Sequence, residues 1–517
     1  MDELRVKELL SGSCPCSGIG AAGKTSPAWL KERAHPVNKT GDPQGDKRIR
    51  YSVPELPEEI WHNIHSLLPL PDAARAGCVS RTFLNFWRCH PYLIFSRETL
   101  GLNGNACGGS KVARIFINRV DSIMRRHSGI GVKTFQLRCF CSDFNPSYLN
   151  RWLQIAITPG IEKLELRLPA SGMKYNFPCS LLFSGNGNSI RHLKLVRCGF
   201  HPTTGLGCLR TLFLSQVNIS GDQLGYLLSN SLALEKLYLS HCKKIICLKI
   251  PWLLHRLSSL TVLDCALEVL ENKAPNLRKV CVDGALIKLP LGDLLQVRDL
   301  TVFGERECNF VHYARAKLPS IVPNLETLSI SSASEMFSTP IVPVKFLHLK
   351  SLRITFDVAL GAFSPAYDYF SLACFLDACP VLETFKLHVS QTRVKHDLIS
   401  GDSLHLRQMP EQCYGNIKNV KIIGFCSAKS MVELTCHILE NATSLECLTL
   451  DTICDNWGEH ADRTRVHKIG ECFRVDKQMI REALKGLVAI ERYVVGKVPP
   501  TVKLNVKKPC NLCHVVK

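Results

Sequence analysis

The stretch Ile190-Arg191-His192-Leu193-Lys194-Leu195-Val196-Arg197-Cys198-Gly199-Phe200 contains the unit from which most of this chain is built. Apolar residues stand at its first, fourth and sixth positions, followed by a cysteine and a phenylalanine. Alternation of the apolar residues over 193–195 predicts a short strand with one buried face, because successive strand side chains point to opposite sides. The cysteine is expected in the turn that follows the strand. A single unit of this kind cannot bury its own apolar face, so copies have to stack.

The apolar-x-x-apolar-x-apolar template recurs thirteen times in order. The copies begin at Val132, Ile161, Ile190, Leu209, Leu234, Leu260, Leu277, Val297, Leu325, Leu349, Leu382, Ile417 and Leu445. Successive starts are 17 to 35 residues apart, around the 20–29 residues of leucine-rich repeats. The fold predicted is α/β, an irregular solenoid with parallel strands on its concave face and helices or loops on its convex face. An ordinary α/β domain is the alternative.

A different pattern precedes the repeats, from Leu56 to Trp87. Pro57, Glu58 and Glu59 suit the start of a helix, and an apolar stripe follows at Ile60, Ile64, Leu67 and Leu68. We expect Pro69-Leu70-Pro71 to end this helix and Asp72 to cap a second one, which carries Ala73, Ala76, Val79 and Phe83. Two helices this short cannot cover each other's apolar faces, so the segment has to dock on something.

These residues resemble an F-box, the module that binds the Skp1-type adaptor of cullin-based ubiquitin ligases. The resemblance rests on Leu56-Pro57, Glu59-Ile60, Ile64, Leu68, Asp72 and Val79-Ser80-Arg81. Phe83 stands where the family usually has tryptophan, and Ala73 and Ala74 replace branched residues. By this resemblance the adaptor-binding residues are Leu56, Pro57, Ile60, Ile64, Leu68, Pro69, Val79 and Phe83. The alternative is that the helices only cap the solenoid.

An F-box followed by irregular leucine-rich repeats with cysteines resembles the plant F-box/leucine-rich-repeat family, including its grass-type members. Gly496 to Pro499 and Pro509 to His514 look like closing elements of that family. The resemblance implies a non-catalytic substrate receptor of an SCF (Skp1–cullin–F-box) ubiquitin ligase, which reaches the cullin through the adaptor. The predicted division is a disordered leader at 1–50, the F-box at 51–97, a linker with a helix from Lys111 to His127 at 98–131, the repeats at 132–495 and a closing segment at 496–517.

The chain is basic, with a formal net charge of +19. Within the repeat template, fourteen basic and eight acidic residues occupy the variable positions that we expect on the concave face. A basic surface favours an acidic or phosphorylated protein substrate, although solvated surface charge is the plain alternative. The basic residues predicted to contact substrate are Arg191, Lys194, Arg210, Lys236, Arg278, Lys279, Lys350, Arg353, Lys418 and Lys421.

Other functions fit the sequence poorly. Gly18-Ile19-Gly20-Ala21-Ala22-Gly23-Lys24-Thr25 matches a P-loop expression, but neither the strand before it nor the helix after it is credible. No membrane-spanning run, secretory signal or catalytic constellation is found in the sequence. Basic residues are scattered among acids, which makes nucleic-acid binding unlikely. We therefore expect reduced cysteines, no cofactor and a location in the nucleus or cytoplasm.

A zinc site is the remaining chemical alternative. Cys510, Cys513 and His514 supply three ligand types at close spacing. A structural zinc needs four, and the fourth would come from Cys454, His460, His467 or Cys472. The spacing does not require such a site, and we predict no bound metal.

Overall fold

The computed structural model describes residues 56–78, 81–102, 109–140, 145–170, 175–183, 187–287, 294–335, 337–341, 343–356, 367–390, 399, 406–407, 413–454, 475–510 and 514. The chain divides into two units, residues 1–61 with 456–461 and residues 62–455 with 462–517. Of the first unit, only residues 56–61 are described. The P-loop match and most of the segment 451–475 therefore lie outside the described residues.

The strands follow the repeat template. In chain order they are β1 Tyr92–Phe95, β2 Thr134–Arg138, β3 Lys163–Arg167, β4 His192–Val196, β5 Thr211–Ser215, β6 Lys236–Ser240, β7 Cys247–Ile250, β8 Ser259–Leu263, β9 Val269–Asn272, β10 Lys279–Asp283, β11 Asp299–Cys308, β12 Thr327–Ser334, β13 Ser351–Phe356, β14 Thr384–Val389, β15 Asn419–Ile423, β16 Cys447–Asp451 and β17 Lys503–Lys507. Twelve of the thirteen predicted copies form a strand in the predicted register. The copy predicted from Leu260 is wrong by three residues, because β8 places Leu257, Leu260 and Val262 at the three apolar positions. The predicted α/β solenoid is confirmed.

All pairings in the main sheet are parallel, as expected where every strand is followed by a crossover. Within the described residues this sheet has fifteen strands, in the order β1-β2-β3-β4-β5-β6-β8-β10-β11-β12-β13-β14-β15-β16-β17. Strands β7 and β9 pair separately. The sheet therefore extends one strand beyond the predicted copies at each end, into ranges that the sequence assigned to the F-box and to the closing segment.

The helices are α1 Glu58–Ser66, α2 Leu70–Gly77, α3 Arg81–Arg88, α4 Gly109–Arg126, α5 Pro146–Ala156, α6 Ser180–Phe183, α7 Gly221–Ser229, α8 Gly284–Ile287, α9 Phe310–Ile321, α10 Ala373–Asp377, α11 Lys429–Asn441 and α12 Lys477–Ala489. Several of them pack on the buried side of the sheet: Val311 of α9 and Met431 of α11 belong to the same core as the strand leucines. The helix predicted from Lys111 to His127 is present as α4.

The prediction of one helix after Pro71 is wrong. Two helices, α2 and α3, occupy this stretch, and Asp72 lies in the first turn of α2 instead of capping it, because the N-cap residue is Pro69. Proline is compatible with the first turn, where its missing N–H has no partner to lose. Pro71 therefore starts a helix here, while the helix before it ends at Ser66.

A shared turn geometry follows several strands. Arg197, Gln216, His241 and Asp264, each directly after its strand, have φ angles of 63°, 53°, 52° and 51°. After β15 the equivalent residue is Gly424, with φ 77°. The left-handed conformation turns the chain away from the sheet at the same point of each of these repeats.

Candidate functional site

Exposed apolar side chains are concentrated on and around α1. In the first unit Leu56 and Ile60 are 38% and 43% exposed, and in the second unit Ile64 and Leu67 are 42% and 82% exposed. The amides of Ile60 and Trp61 donate to the carbonyl oxygen of Pro57, which opens the helix. Large apolar side chains that a protein leaves this exposed and close together in sequence are typical of an interaction surface.

Other apolar side chains of the F-box segment are buried within the second unit. Leu70 and Ala73 of α2 and Phe86 and Trp87 of α3 are at most 8% exposed. Leu70 joins the core that contains Leu93 of β1. Part of the apolar surface that the sequence left without a partner is therefore covered by the chain itself.

The remaining predicted adaptor residues have different environments. Leu68 and Phe83 are half-buried, and Pro57 and Pro69 are exposed. The ring of Phe83 stacks near that of His65, with centroids 6.1 Å apart. Val79 lies outside the described residues. A direct role of these residues in adaptor binding stays a prediction.

Three buried histidines that the sequence analysis did not single out connect the helices to one another and to the residues before β1. His65 Nε2 lies 3.2 Å from the carbonyl oxygen of Ala73, His90 Nε2 lies 3.1 Å from that of Leu68, and His127 Nε2 lies 3.0 Å from that of His90. Burial lowers the pKa of all three imidazoles below the usual 6.5, although the backbone carbonyls oppose the shift. The helices are thus attached to β1 by neutral histidines. Their signal in the sequence was weak, since histidine is seldom a core residue.

The basic residues predicted to contact substrate fall into two rows, which corrects the expectation that all variable positions face one surface. The first variable residue of each copy precedes its strand, and its carbonyl oxygen accepts two amides of the next copy; the amides of Arg191 and His192 both donate to Glu162, at 2.8 and 3.0 Å. We call this row the strand-entry edge. It contains Arg191, Arg210, Arg278, Lys350 and Lys418.

Charges on the strand-entry edge largely pair with one another. Arg191 lies 3.6 Å from Glu162, and Arg210 lies 3.7 Å from Glu235. Glu326 contacts both Arg298, at 2.7 Å, and Lys350, at 3.7 Å. Seven of the fourteen basic and five of the eight acidic template residues lie on this edge. Exposed pairs of this kind contribute little energy, but they leave the edge with a small net charge.

A groove with a volume of about 480 Å³ lies along this edge. Its lining includes Leu295 and Leu347, with Arg298, Glu326 and Lys350 between them. Glu326, which forms ion pairs with Arg298 and Lys350, is itself part of the groove lining. Lys350 therefore already contacts an acidic side chain of the same protein.

The other row lies within the strands and alternates with the buried leucines. We call the surface formed by these alternating residues the polar sheet face. It contains Lys194, Lys236, Lys279, Arg353 and Lys421 from the predicted set. Of the template residues, seven basic ones but only two acidic ones, Glu165 and Asp299, lie here. The positive excess of the repeats is therefore concentrated on the polar sheet face.

Two groups stand out along the central line of this face. On β4, β5 and β6, Lys194, Phe213 and Tyr238 are in register; the two rings stack with centroids 4.0 Å apart, and Lys194 Nζ lies 4.5 Å from the Phe213 centroid. Farther along, Arg353, Lys386 and Lys421 occupy the same level of β13, β14 and β15. Neither grouping could be seen in the linear sequence, because it depends on the register.

The possible zinc ligands are only partly described. The amide of Cys510 donates to Nδ1 of His514 at 3.2 Å, and Cys513 lies outside the described residues. In the part of the chain that is described, no three histidine, cysteine or acidic side chains come together as a metal would require. Buried cysteines of the repeats are thiols, and burial raises the pKa of Cys198 to about 12, which keeps it protonated.

The fold and the helical segment together define a leucine-rich-repeat solenoid preceded by an F-box. The F-box domain model matches residues 53–95, and the model of the At1g61320/AtMIF1 LRR domain matches residues 123–511. The chain therefore belongs to the plant F-box/leucine-rich-repeat family. None of the helices described here is both long and apolar enough to cross a membrane.

Relatives of this chain include proteins of Arabidopsis thaliana. The F-box/FBD/LRR-repeat protein At1g13570 is 22% identical over 77% of this chain and 91% of its own length. The FBD-associated F-box protein At1g66310 is 27% identical over 38% of this chain. The matched region spans only 45% of the length of that relative. Among solved structures, the alignment with a chain of the LRIM1/APL1C complex covers 72% of this chain and 65% of that chain, with 13% sequence identity and a TM-score of 0.26.

Proposed function

We propose that this chain is the substrate-recognition subunit of an SCF-type ubiquitin ligase. The main observation that supports this proposal is that the F-box segment exposes apolar side chains, Ile64 and Leu67 among them. A Skp1-type adaptor would cover these side chains and bring a cullin with it. The chain would act without catalysis and without a cofactor, in the nucleus or the cytoplasm.

In this proposal the repeats select a protein substrate that is acidic or phosphorylated. The excess of basic side chains on the polar sheet face supports this choice, since charged groups on a partner would be read by charge-assisted hydrogen bonds. The residues proposed to contribute are those of the predicted set that lie within strands. Residues of the strand-entry edge are weaker candidates because acids of the chain already contact several of them.

A second function is supported by the packing of the F-box segment. Because Leu70 shares the core of the sheet, the helices also cap the solenoid, and a repeat scaffold with no adaptor would need them for that alone. The two functions differ in what they require of the exposed residues. Capping makes no use of an exposed Ile60 side chain, whereas adaptor binding does.

Co-expression with a Skp1-type adaptor, followed by size-exclusion chromatography, separates the two. We expect a stable complex with the wild-type chain, loss of that complex in Ile60→Asp, and its retention in the control Ile246→Asp, which places the same charge on a 54% exposed isoleucine of the repeats. Adaptor capture by Ile60→Asp equal to wild type would refute the adaptor surface. A soluble wild-type chain that forms no complex would favour the cap, whereas unfolding of the repeats in Ile60→Asp would mean that this side chain supports the fold.

A further inference from the structure

Three basic side chains form a short ladder across the polar sheet face. Arg353 pairs with Lys386, and Lys386 with Lys421, on consecutive parallel strands. Neighbouring strands are about 4.8 Å apart, so the Cα atoms of the three residues span roughly 10 Å. All three are half-buried, and each has contacts of its own within the protein. The ladder is therefore part of an ordered surface.

Such an arrangement is unfavourable by itself, because like charges at directly opposed positions of neighbouring strands repel. Five of the six strand residues flanking the ladder on this face are polar: Ser351, Thr384 and Asn419 on one side and Thr355 and His388 on the other. The sixth, Ile423 beside His388, is buried. Among the described strand residues of β12 to β17 on this face, Asp451 is the one acid, and it is buried, with its carboxylate accepting the amide of Ile453.

We propose that the Arg353–Lys386–Lys421 ladder binds a phosphorylated segment of the substrate. A phosphate group carries close to two negative charges and three acceptor oxygens, which suits the guanidinium fork of Arg353 beside the two ammonium groups of Lys386 and Lys421. Hydroxyl and amide groups of Thr384, Thr355 and Asn419 stand at the adjacent positions to donate to remaining oxygens. This inference rests on the proposed substrate-receptor function and assigns the chemical class of its substrate.

Single-stranded RNA is the other polyanion that a basic face could bind, and the arrangement of aromatic side chains disfavours it. RNA-binding sheets place open aromatic faces beside their cations for base stacking. Here the stacked pair Phe213 and Tyr238 lies on β5 and β6, five strand steps before β13. One face of Phe213 is covered by Tyr238 and the other by Lys194. The ladder itself is flanked by hydroxyl and amide side chains together with His388 and Ile423, and no phenylalanine, tyrosine or tryptophan occupies a described strand position beside it on this face.

The test uses the full chain and a pool of fluorescein-labelled peptides randomised on both sides of a central phosphoserine. Pools with serine or glutamate at the centre, and a mixed-sequence single-stranded RNA, are measured in parallel by fluorescence anisotropy. The site variant is Arg353→Gln/Lys386→Gln/Lys421→Gln. The matched control, Arg278→Gln/Lys350→Gln/Lys418→Gln, removes the same residue types and the same charge from the strand-entry edge of the same sheet.

We expect the phosphoserine pool to bind more tightly than the serine pool. The site variant should weaken that binding by about tenfold or more, the loss of one to two charge-assisted hydrogen bonds, while the control changes it less than about threefold. Equal loss in both variants would show a general charge effect and overturn the assignment, as would equal binding of the two pools or tighter binding of RNA. Circular dichroism confirms that both variants are folded.

Adaptor capture is measured on the same preparations, so that the two proposals fail separately. Phosphopeptide binding by a chain that captures no adaptor would support the ladder and refute the receptor function. Adaptor capture without any preference for the phosphoserine pool would refute the ladder and leave the receptor function standing.

Discussion

His90 Nε2 and the carbonyl oxygen of Leu68 lie 3.1 Å apart and connect the turn after α1 to the residue that introduces the sheet. The carbonyl oxygen of His90 is in turn 3.0 Å from His127 Nε2, at the end of α4. The F-box helices are thus attached to the repeats by side chains that change charge near neutral pH. In the fold these imidazoles are buried, which favours their neutral form.

Stability of the second unit should consequently decrease in mild acid. The pKa of His90 is lowered in the fold from 6.5, so the unfolded chain takes up the proton first. The contribution is complete above pH 6.5 and is lost as the pH falls below it. We expect the thermal midpoint to fall between about pH 7.5 and about pH 5.5, and to fall less in His90→Gln. The assignment would be contradicted if the thermal midpoint of His90→Gln fell as much as that of the wild type. It would also be contradicted if the control His348→Gln, at an exposed histidine, reduced the fall as much as His90→Gln does.

The repeats were predictable because their signal is repeated. Thirteen copies of one apolar pattern give thirteen strands, and errors in single copies do not change the fold. The two strands beyond them were missed because each lacks the first apolar residue of the template. In β1 that position is His90, which is buried at 1% exposure, and in β17 it is Thr501. Termini of a solenoid have no neighbour on one side and so tolerate such departures.

The candidate surfaces were only partly predictable. The charges of Arg353, Lys386 and Lys421 are visible in the sequence, but the register that aligns them is a property of the assembled sheet. Likewise Arg191 and Lys194 are three residues apart in one template, yet they lie in different rows because the strand begins between them. Asp264, counted among the eight acids, follows β8 and belongs to neither row. The separation of the other charges into an edge and a face required the backbone.

Leu67 is the most exposed apolar residue of the F-box segment, at 82%, and it was left out of the predicted adaptor set. If the adaptor covers this surface, Leu67→Asp should reduce adaptor affinity on the order of tenfold or more, because binding energy concentrates in buried apolar anchors. The fold should not change, since the side chain makes little contact within the chain. Titration of the adaptor by isothermal calorimetry measures the effect.

The matched control for that prediction is Leu232→Asp, at a 52% exposed leucine between α7 and β6. Its adaptor affinity should equal that of the wild type. Full affinity in Leu67→Asp would exclude this residue from the interface, and a lower thermal midpoint there would mean that it supports the fold instead.

Arg407 joins two acidic side chains on the helical side of the repeats. Its guanidinium donates to both Asp368, at 2.7 and 2.9 Å, and Glu433, at 2.7 and 2.9 Å, while its amide donates to Glu433 at 2.9 Å. The Glu433 side chain is fully buried in α11. Removing one partner of a fully buried ion pair costs about 3–5 kcal/mol, because the other charge stays behind. The Arg407 side chain is half exposed, so we expect a smaller cost here.

Arg407→Met should therefore accelerate hydrogen exchange of the α11 amides by on the order of a hundredfold. The double variant Arg407→Met/Glu433→Met removes both charges and should recover a large part of the protection. Exchange in the double variant as fast as in the single one would mean that packing, and not the unpaired carboxylate, is responsible. Lys429, whose Nζ lies 4.0 Å from Glu433, remains in both.

Gly424 occupies the left-handed turn position after β15, where the equivalent residues after other strands have side chains. Its φ angle is 77°, and a Cβ atom there would lie 1.9 Å from the carbonyl oxygen of Val389. A left-handed angle alone is tolerated, as Asp264 shows with φ 51°. The close approach of two neighbouring repeats is what requires glycine here.

Gly424→Ala should thus destabilise the repeats around β14 and β15 by more than the ~1 kcal/mol typical of a strained alanine, since the backbone carbonyl has to move. Gly207→Ala is the control, because a Cβ atom there meets nothing within 4 Å. Hydrogen exchange should show lost protection for β15 in Gly424→Ala only. Equal protection in the two variants would mean that the repeats can adjust at this point without cost. We do not expect that, because the amide of Gly424 donates a hydrogen bond to the carbonyl oxygen of Asp451, at 2.8 Å, which holds Gly424 in place.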